Sequence, residues 1–267
     1  MAQHKIRPMN ITIVGAGNVA WHLAPALQAA GHKITAIYSR TLAHAKELSR
    51  RLSDTLATQS LDFTTIATDV VLIAVPDAVI VAVANELKVK PGAILAHTSG
   101  SQPLTVLQTI AGERAGVFYP LQTFSKQKPV DLQQVPVLVE GVMEETTKVL
   151  EELAQSISRQ VARVDSEKRK QLHLAAVFAC NFTNHLLGIS HELLQHAGLP
   201  INLLQPLVQE TIEKATAHHP FTVQTGPAIR HDQNVIEEHL RLLQTEPELQ
   251  QLYRLLTDSI QHRSKKG

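Results

Sequence analysis

The residues best suited to chemistry begin with Ile11-Thr12-Ile13-Val14-Gly15-Ala16-Gly17-Asn18-Val19-Ala20, a β-type run followed by G-x-G-x-x-A and then a helical pattern. Gly15 permits a tight turn, Gly17 lets the backbone approach a pyrophosphate, and Ala20 keeps the helix close to the sheet. The N–H groups that open the helix, at Ala16 to Val19, would face the phosphates with a partial positive charge. This pattern predicts a dinucleotide site. A bare glycine pattern also marks ordinary tight turns, and its place on the first strand of an alternating β/α half is what favours the ligand.

At the end of the second β-type run, an Asp or Glu would accept hydrogen bonds from the ribose 2′-hydroxyl of NAD. This sequence has Ser39-Arg40-Thr41 there instead. Hydroxyls and a guanidinium suit a 2′-phosphate, so NADP is expected as cofactor, with NAD the less favoured one. The plainer alternative is a loop with a helix N-cap. Val75 and Pro76, after an apolar run, are expected to line the cofactor with their backbone. Asp77 beside them is expected to cap a helix.

His97-Thr98-Ser99-Gly100-Ser101 places polar groups at the carboxyl edge where open α/β sheets bind ligands. His97, Ser99 and Ser101 are candidates to contact a substrate, although a turn capping the next helix would use the same residue types. At about 100° per residue, His173, Cys180, Asn181 and Asn184 share one side of a long apolar helix. General acid work suits a histidine, and His173 is the candidate proton donor, with Ser99 as the fallback. Asn181 or Asn184 could orient a carbonyl or carboxylate. Arg230, in Thr225-Gly226-Pro227-Ala228-Ile229-Arg230-His231-Asp232, could clamp a substrate carboxylate or pair with Asp232. No metal site is expected: His191 and His196 are five apart rather than four and point to different faces.

These residues must be held by elements, and the pattern of elements is regular. β-type runs at 11–14, 33–38, 70–75, 93–97, 116–119, 136–139 and 160–164 alternate with helices starting near Asn18, Leu42, Asp77, Pro103 and Met143. That alternation predicts an α/β fold, a Rossmann-type mainly parallel sheet, with 70–75 as a central strand covered on both faces. After Asp165 helical periodicity takes over, predicting an all-α C-terminal domain with helices at 166–196, 201–217, 234–244 and 247–262. The expected domains are 1–164 for the dinucleotide and 165–267 for substrate contact and dimerisation.

Composition narrows the classes. Of 267 residues 44% are hydrophobic and 18% charged, an ordinary globular balance. With 25 basic against 24 acidic residues no net field exists to hold nucleic acid, so no nucleic-acid partner is expected. The single cysteine, Cys180, reads as a buried small hydrophobe in a reducing compartment. Residues 1–10 lack an apolar leader, and no segment reads as an uninterrupted membrane span, so a cytoplasmic protein is expected. The stretch 174–187 is apolar nearly all round and is expected to be buried among helices or against a second copy, giving a homodimer. The tail 264–267 reads as frayed.

Taken together the chain resembles the superfamily of 6-phosphogluconate and β-hydroxyacid dehydrogenases, pyrroline-5-carboxylate reductase and F420-dependent NADP oxidoreductase. It is also similar to a bacterial group of Rossmann-like NADP oxidoreductase-type proteins. The resemblance covers nearly the full chain. It rests on the glycine loop, Ser39-Arg40-Thr41, Ala74-Val75-Pro76-Asp77 and His97-Thr98-Ser99-Gly100-Ser101. Narrower parts are Tyr119-Pro120-Leu121-Gln122-Thr123-Phe124, His173-Leu174-Ala175-Ala176-Val177-Phe178-Ala179-Cys180-Asn181 and the segment around Arg230. The resemblance implies an NADP-binding domain followed by a helical domain that dimerises, with hydride transfer to or from a small carbonyl, imine or hydroxy acid. The catalytic Lys that several of those relatives carry four residues before an Asn is absent, since Val177 precedes Asn181 and Cys180 precedes Asn184 by that spacing. A dinucleotide-binding sensor or assembly protein without hydride chemistry is therefore the alternative.

Overall fold

The computed structural model describes residues 7–264; the leader reading of residues 1–6 and the tail at 265–267 lie outside the described residues. Alternating strands and helices open the chain: β1 (Asn10–Val14), α1 (Asn18–Ala29), β2 (Lys33–Tyr38), α2 (Leu42–Ser49), β3 (Leu56–Thr58) and β4 (Val70–Ile73). A 3₁₀ turn at Asp77–Val79 leads into α3 (Ile80–Glu86), followed by β5 (Ile94–His97), α4 (Thr105–Ala111) and β6 (Ala115–Pro120). The unit closes with β7 (Val137–Gly141), α5 (Glu144–Gln155) and β8 (Val161–Arg163).

These strands form one sheet in the order β3-β2-β1-β4-β5-β6-β7-β8. All neighbours run parallel except β6 and β7, which are antiparallel. Side chains alternate across a strand. On one face Ile11, Ile13, Val70 and Leu72 pack with Leu23 and Leu27 of α1 and Leu150 and Leu153 of α5. On the other, Val14, Val71 and Ile73 pack with Ile80 and Ala84 of α3 and Leu107 of α4. Every residue of β4 is therefore buried, as its unbroken apolar run predicts. Strand β3 has no counterpart in the sequence reading: three residues with a half-exposed Leu56 carry too little period to register.

A long helix follows, built from α6 (Ser166–Ala176), a π-helical turn (Val177–Phe182) and α7 (Thr183–His196). The Asp165 carboxylate accepts the Lys168 N–H at 2.9 Å and caps its start. Gly198, at φ +67°, ends it in a Schellman arrangement, the Leu199 N–H reaching Leu194 O at 2.9 Å and the Gly198 N–H reaching Gln195 O at 3.1 Å. Beyond lie α8 (Gln205–Ala217), α9 (Gln233–Leu242) and α10 (Pro247–Ser264). Composition turns helical at Asp165, whereas the chain divides into compact units Met1–His185 and Leu186–Gly267, inside the long helix.

Three sequence expectations are corrected here. The long helix is not uniformly α-helical: the π turn admits an extra residue, so Asn181 and Asn184 are rotated relative to His173 from the positions that even winding gives them. The stretch 174–187 and Cys180 are not buried within this chain. Leu174 is 59% exposed, Phe178 63% and Phe182 47%, and Cys180 is exposed. Finally, Ser166–His196 is long and apolar enough by length and composition to cross a membrane. Its histidines and asparagines interrupt the apolar run without adding Asp, Glu, Lys or Arg.

Candidate functional site

The turn between β1 and α1 is determined by its first glycine. Gly15 adopts φ +121°, and a Cβ there would stand 2.1 Å from the carbonyl oxygen of Ala74. Only glycine meets both demands. Its N–H donates to Tyr38 O at 2.8 Å, tying the turn to the end of β2. Gly17 caps α1, and a Cβ on it would meet nothing within 4 Å, so open space lies where a phosphate would approach. The first intrahelical bond, Trp21 N to Gly17 O at 2.9 Å, leaves the earlier N–H groups of α1 without helical acceptors.

Beside this turn is a cavity of about 360 Å³, a volume typical of small-molecule sites. Gly15, Ala16, Gly17, Ser39, Arg40, Val75 and Pro76, all singled out in the sequence, line it. Tyr38, His44, Leu61 and Glu86 line it as well and were not anticipated; Glu86 ends α3 and His44 lies in the first turn of α2. Three expected cofactor residues lie off its wall. Asn18 begins α1, Val19 packs against the core, and Thr41 caps α2, its N–H donating to Ser39 Oγ at 3.3 Å.

The carboxyl ends of β4 and β5 lie side by side, the Thr98 N–H donating to Ile73 O at 3.1 Å, and this edge carries the 97–101 loop next to the residues after β4 that line the cavity. His97 is fully buried there. Its Nε2–H donates to Pro103 O at 3.4 Å while its Nδ1 accepts the Ser99 N–H at 3.2 Å. Burial, with the Arg169 guanidinium nearby, pushes its pKa down to about 4, so the ring is neutral and spends both nitrogens on its own loop. Ser99, also buried, accepts N–H bonds from Ser101 at 3.1 Å and Gln102 at 3.0 Å, which leaves its hydroxyl hydrogen to donate. Ser101 donates to the Asp77 carboxylate. Asp77 thus serves this loop from an uncapped 3₁₀ turn, not the helix cap expected of it.

Opposite the loop stands His173, half-buried on α6, its Nδ1 3.2 Å from the hydroxyl of Tyr119 at the end of β6. Gly100 fits against both. A Cβ on Gly100 would stand 2.6 Å from His173 Nδ1 and 2.6 Å from Tyr119 Cζ. The structure therefore brings the 97–101 loop and His173 together, as the sequence reading required. Tyr119 was quoted there only as part of a motif. Burial raises its phenol pKa, keeping it protonated.

The start of α6 is held by a second residue that the sequence reading passed over. Arg169 is fully buried, and its guanidinium donates to Glu140 Oε2 at 2.5 Å, Gln102 O at 2.7 Å and Ser166 Oγ at 3.1 Å. Ser166 Oγ in turn donates to Glu140 at 2.8 Å and accepts the Leu104 N–H at 2.9 Å. The loop after β5, strand β7 and α6 are thereby pinned to one another, and His173 lies one turn along from the pin. The available signal was helical spacing, since Arg169 and His173 are four apart and share a face. Lys168, exposed, and Lys170, half-buried, stand on either side and make local ion pairs.

The remaining candidates do not join this cluster. Asn181 and Asn184 are exposed, and among the described residues no hydrogen bond links them to the 97–101 loop. Arg230 is exposed in the second unit, and among the described residues no ion pair joins it to Asp232, whose carboxylate instead accepts the Val235 N–H and caps α9. No group of three or more His, Cys, Asp or Glu able to hold a metal occurs among the described residues.

Comparison with known proteins covers both halves of the chain. Residues 2–121 match the model of a Rossmann-like domain, and residues 135–260 match that of a domain of unknown function, DUF2520. No curated protein matches the sequence. Among solved structures, "putative NADP oxidoreductase BF3122 from Bacteroides fragilis" is 39% identical with a TM-score of 0.86, over 97% of this chain and 100% of that one. Protein TM1727 from Thermotoga maritima is 25% identical with a TM-score of 0.68, over 96% of this chain and 98% of that one. A reductive aminase from Aspergillus terreus, in complex with NADPH and ethyl-5-oxohexanoate, shares the fold at 15% identity and a TM-score of 0.66, over 98% and 95%. With end-to-end coverage at that first level of identity, the chain belongs to the family of Rossmann-like, DUF2520-containing proteins that includes the Bacteroides fragilis protein.

Proposed function

We propose that this chain is an NADP-dependent oxidoreductase that transfers a hydride to or from a small carbonyl, imine or hydroxy-acid substrate. The observation that carries this reading is the cavity at the β1 turn, where Gly17 leaves open space before the free N–H groups of α1 and Ser39 and Arg40 stand on the wall. Arg40 and Ser39 would hold a 2′-phosphate by charge-assisted hydrogen bonds, and their place at the end of β2 supports NADP over NAD. The bound nicotinamide supplies or accepts the hydride.

The chain's own residues do the rest. Gly15 holds the turn against β4, and the 97–101 loop and His173 border the place where a substrate would lie. On reduction, hydride arriving at a C=O or C=N carbon leaves an electron pair on oxygen or nitrogen. The His173 imidazolium gives it a proton, forming O–H or N–H, and recovers that proton from water. The full enzyme is proposed to act as a homodimer, because Leu174, Phe178 and Phe182 recur every four residues on an exposed helix and would be covered by a second copy. That role also accounts for the helix's apolar composition without a membrane, since its first turns are anchored to the sheet by Arg169.

Calorimetric titration with NADP⁺ and NAD⁺, followed by a screen for carbonyl- or imine-dependent oxidation of NADPH, tests this reading. Binding of NADP⁺ with substrate-dependent turnover is the expected result. Failure to bind either dinucleotide would overturn it.

A further inference from the structure

The glycine at position 100 has no conformational reason to be there, as its φ lies outside the left-handed region that favours glycine. Its reason is steric: two side chains from other elements, Tyr119 from β6 and His173 from α6, occupy the volume a Cβ would take. Those two side chains are bonded to each other at 3.2 Å, with their rings edge to face at 71°. A phenol and an imidazole are thus held in one arrangement by a backbone that had to give up its side chain.

We infer that Tyr119 is a positioning residue for His173: its hydroxyl donates to Nδ1, holds the neutral imidazole as the Nε2–H tautomer, and leaves Nε2 as the donor for a ligand oxygen or nitrogen. The Tyr119 hydroxyl is half-buried, and its one hydrogen bond among the described residues is to His173 Nδ1. A protonated phenol sheltered from water places its hydrogen on the acceptor within reach, and a neutral imidazole accepts at only one nitrogen. When His173 gains a proton, Nδ1–H donates back to the phenol oxygen, so the pair survives in both charge states and the ring keeps its orientation. This inference rests on the proposed role of His173 as proton donor, and its test is independent of that role.

The test is ¹⁵N NMR of the His173 ring in the full-length protein, with selective histidine labelling and assignment by His173→Gln. At alkaline pH, with the ring neutral, wild type is expected to show a bare Nδ1 and a protonated Nε2. In Tyr119→Phe, which keeps the ring volume and removes only the hydroxyl, the two nitrogens are expected to move towards averaged positions. Gly100→Ala, which wedges the pair apart, is expected to do the same. A protonated Nδ1 in wild type, or a His173 spectrum in Tyr119→Phe that matches wild type, would overturn the inference. A wild-type spectrum in Gly100→Ala would overturn the steric half of it. Should Tyr119→Phe fail to fold, the wild-type tautomer and Gly100→Ala still decide. Absence of NADP⁺ binding by a wild type that shows the expected tautomer would count against the proposed function and not against the ring assignment.

Discussion

Replacing Arg169 by Met removes a fully buried cation while approximately preserving the side chain's length. In wild type the guanidinium satisfies Glu140, the carbonyl of Gln102 and Ser166 Oγ at distances between 2.5 and 3.1 Å. Breaking one partner of a buried pair costs roughly 3–5 kcal/mol, because the other charge stays desolvated. The Glu140 side chain retains 18% exposure and can partly rehydrate, while the Arg169 Nε has no hydrogen-bond partner among the described residues even in wild type. Both facts place the loss near the lower end, about 3 kcal/mol, which for a domain of this size is a fall in Tm of roughly 6–12 °C. Thermal unfolding followed by circular dichroism at pH 7 reads this directly. In Arg169→Met with Glu140→Met, neither charge is left alone, and about half or more of the loss should return. A single variant within about 1 kcal/mol of wild type, or a double variant that loses as much as the two singles added together, would refute the claim that this pair pins α6 to the sheet.

Arg40→Ala should weaken NADPH by about 1.5–3 kcal/mol, the value of a charged hydrogen bond, and NADH much less, as measured by titration of each; equal losses would refute the 2′-phosphate assignment. Gly15→Ala should abolish dinucleotide binding and lower Tm, since its Cβ would lie 2.1 Å from Ala74 O at φ +121°, and wild-type affinity in that variant would contradict the turn's geometry. The His97 pKa is about 4 when folded against 6.5 when unfolded, so between those values the unfolded chain binds the extra proton. Stability from this group is complete above pH 6.5 and falls as pH drops towards 4, by about 3 kcal/mol in denaturant titrations, and His97→Gln should flatten that slope. Phe178→Glu should yield a monomer by light scattering with the fold intact, and a wild-type protein already monomeric at micromolar concentration would dispose of the homodimer.

Much of the scaffold was legible because it depends on local spacing. The unbroken run at 70–75 read as a central strand, and the glycines at 15 and 17 read as a tight turn between the first strand and its helix. Each is a relation between near neighbours in the chain, and backbone sterics and side-chain period suffice to decode it. The edge strand β3 and the π turn were not legible. The first is too short to show a period, and the second breaks the even winding on which helical reasoning rests.

The candidate site divides along the same line. Sequence alone determined that Ser39 and Arg40 follow the second strand, that the 97–101 loop lies at the carboxyl edge of the sheet, and that His173 is on a helix. Only the tertiary structure decided what each does. His97 turned out to be spent on its own loop by burial, Asp77 was drawn to Ser101 rather than to a helix cap, and Arg169, in a run of charges that suggests solvent, was buried against Glu140. Tyr119, Gly100 and His173 come from a strand, a loop and a helix up to 73 residues apart, and they meet because the sheet order places β5 beside β6 under α6. Their meeting depends on how the elements pack, and one sequence read by local period carries no record of it.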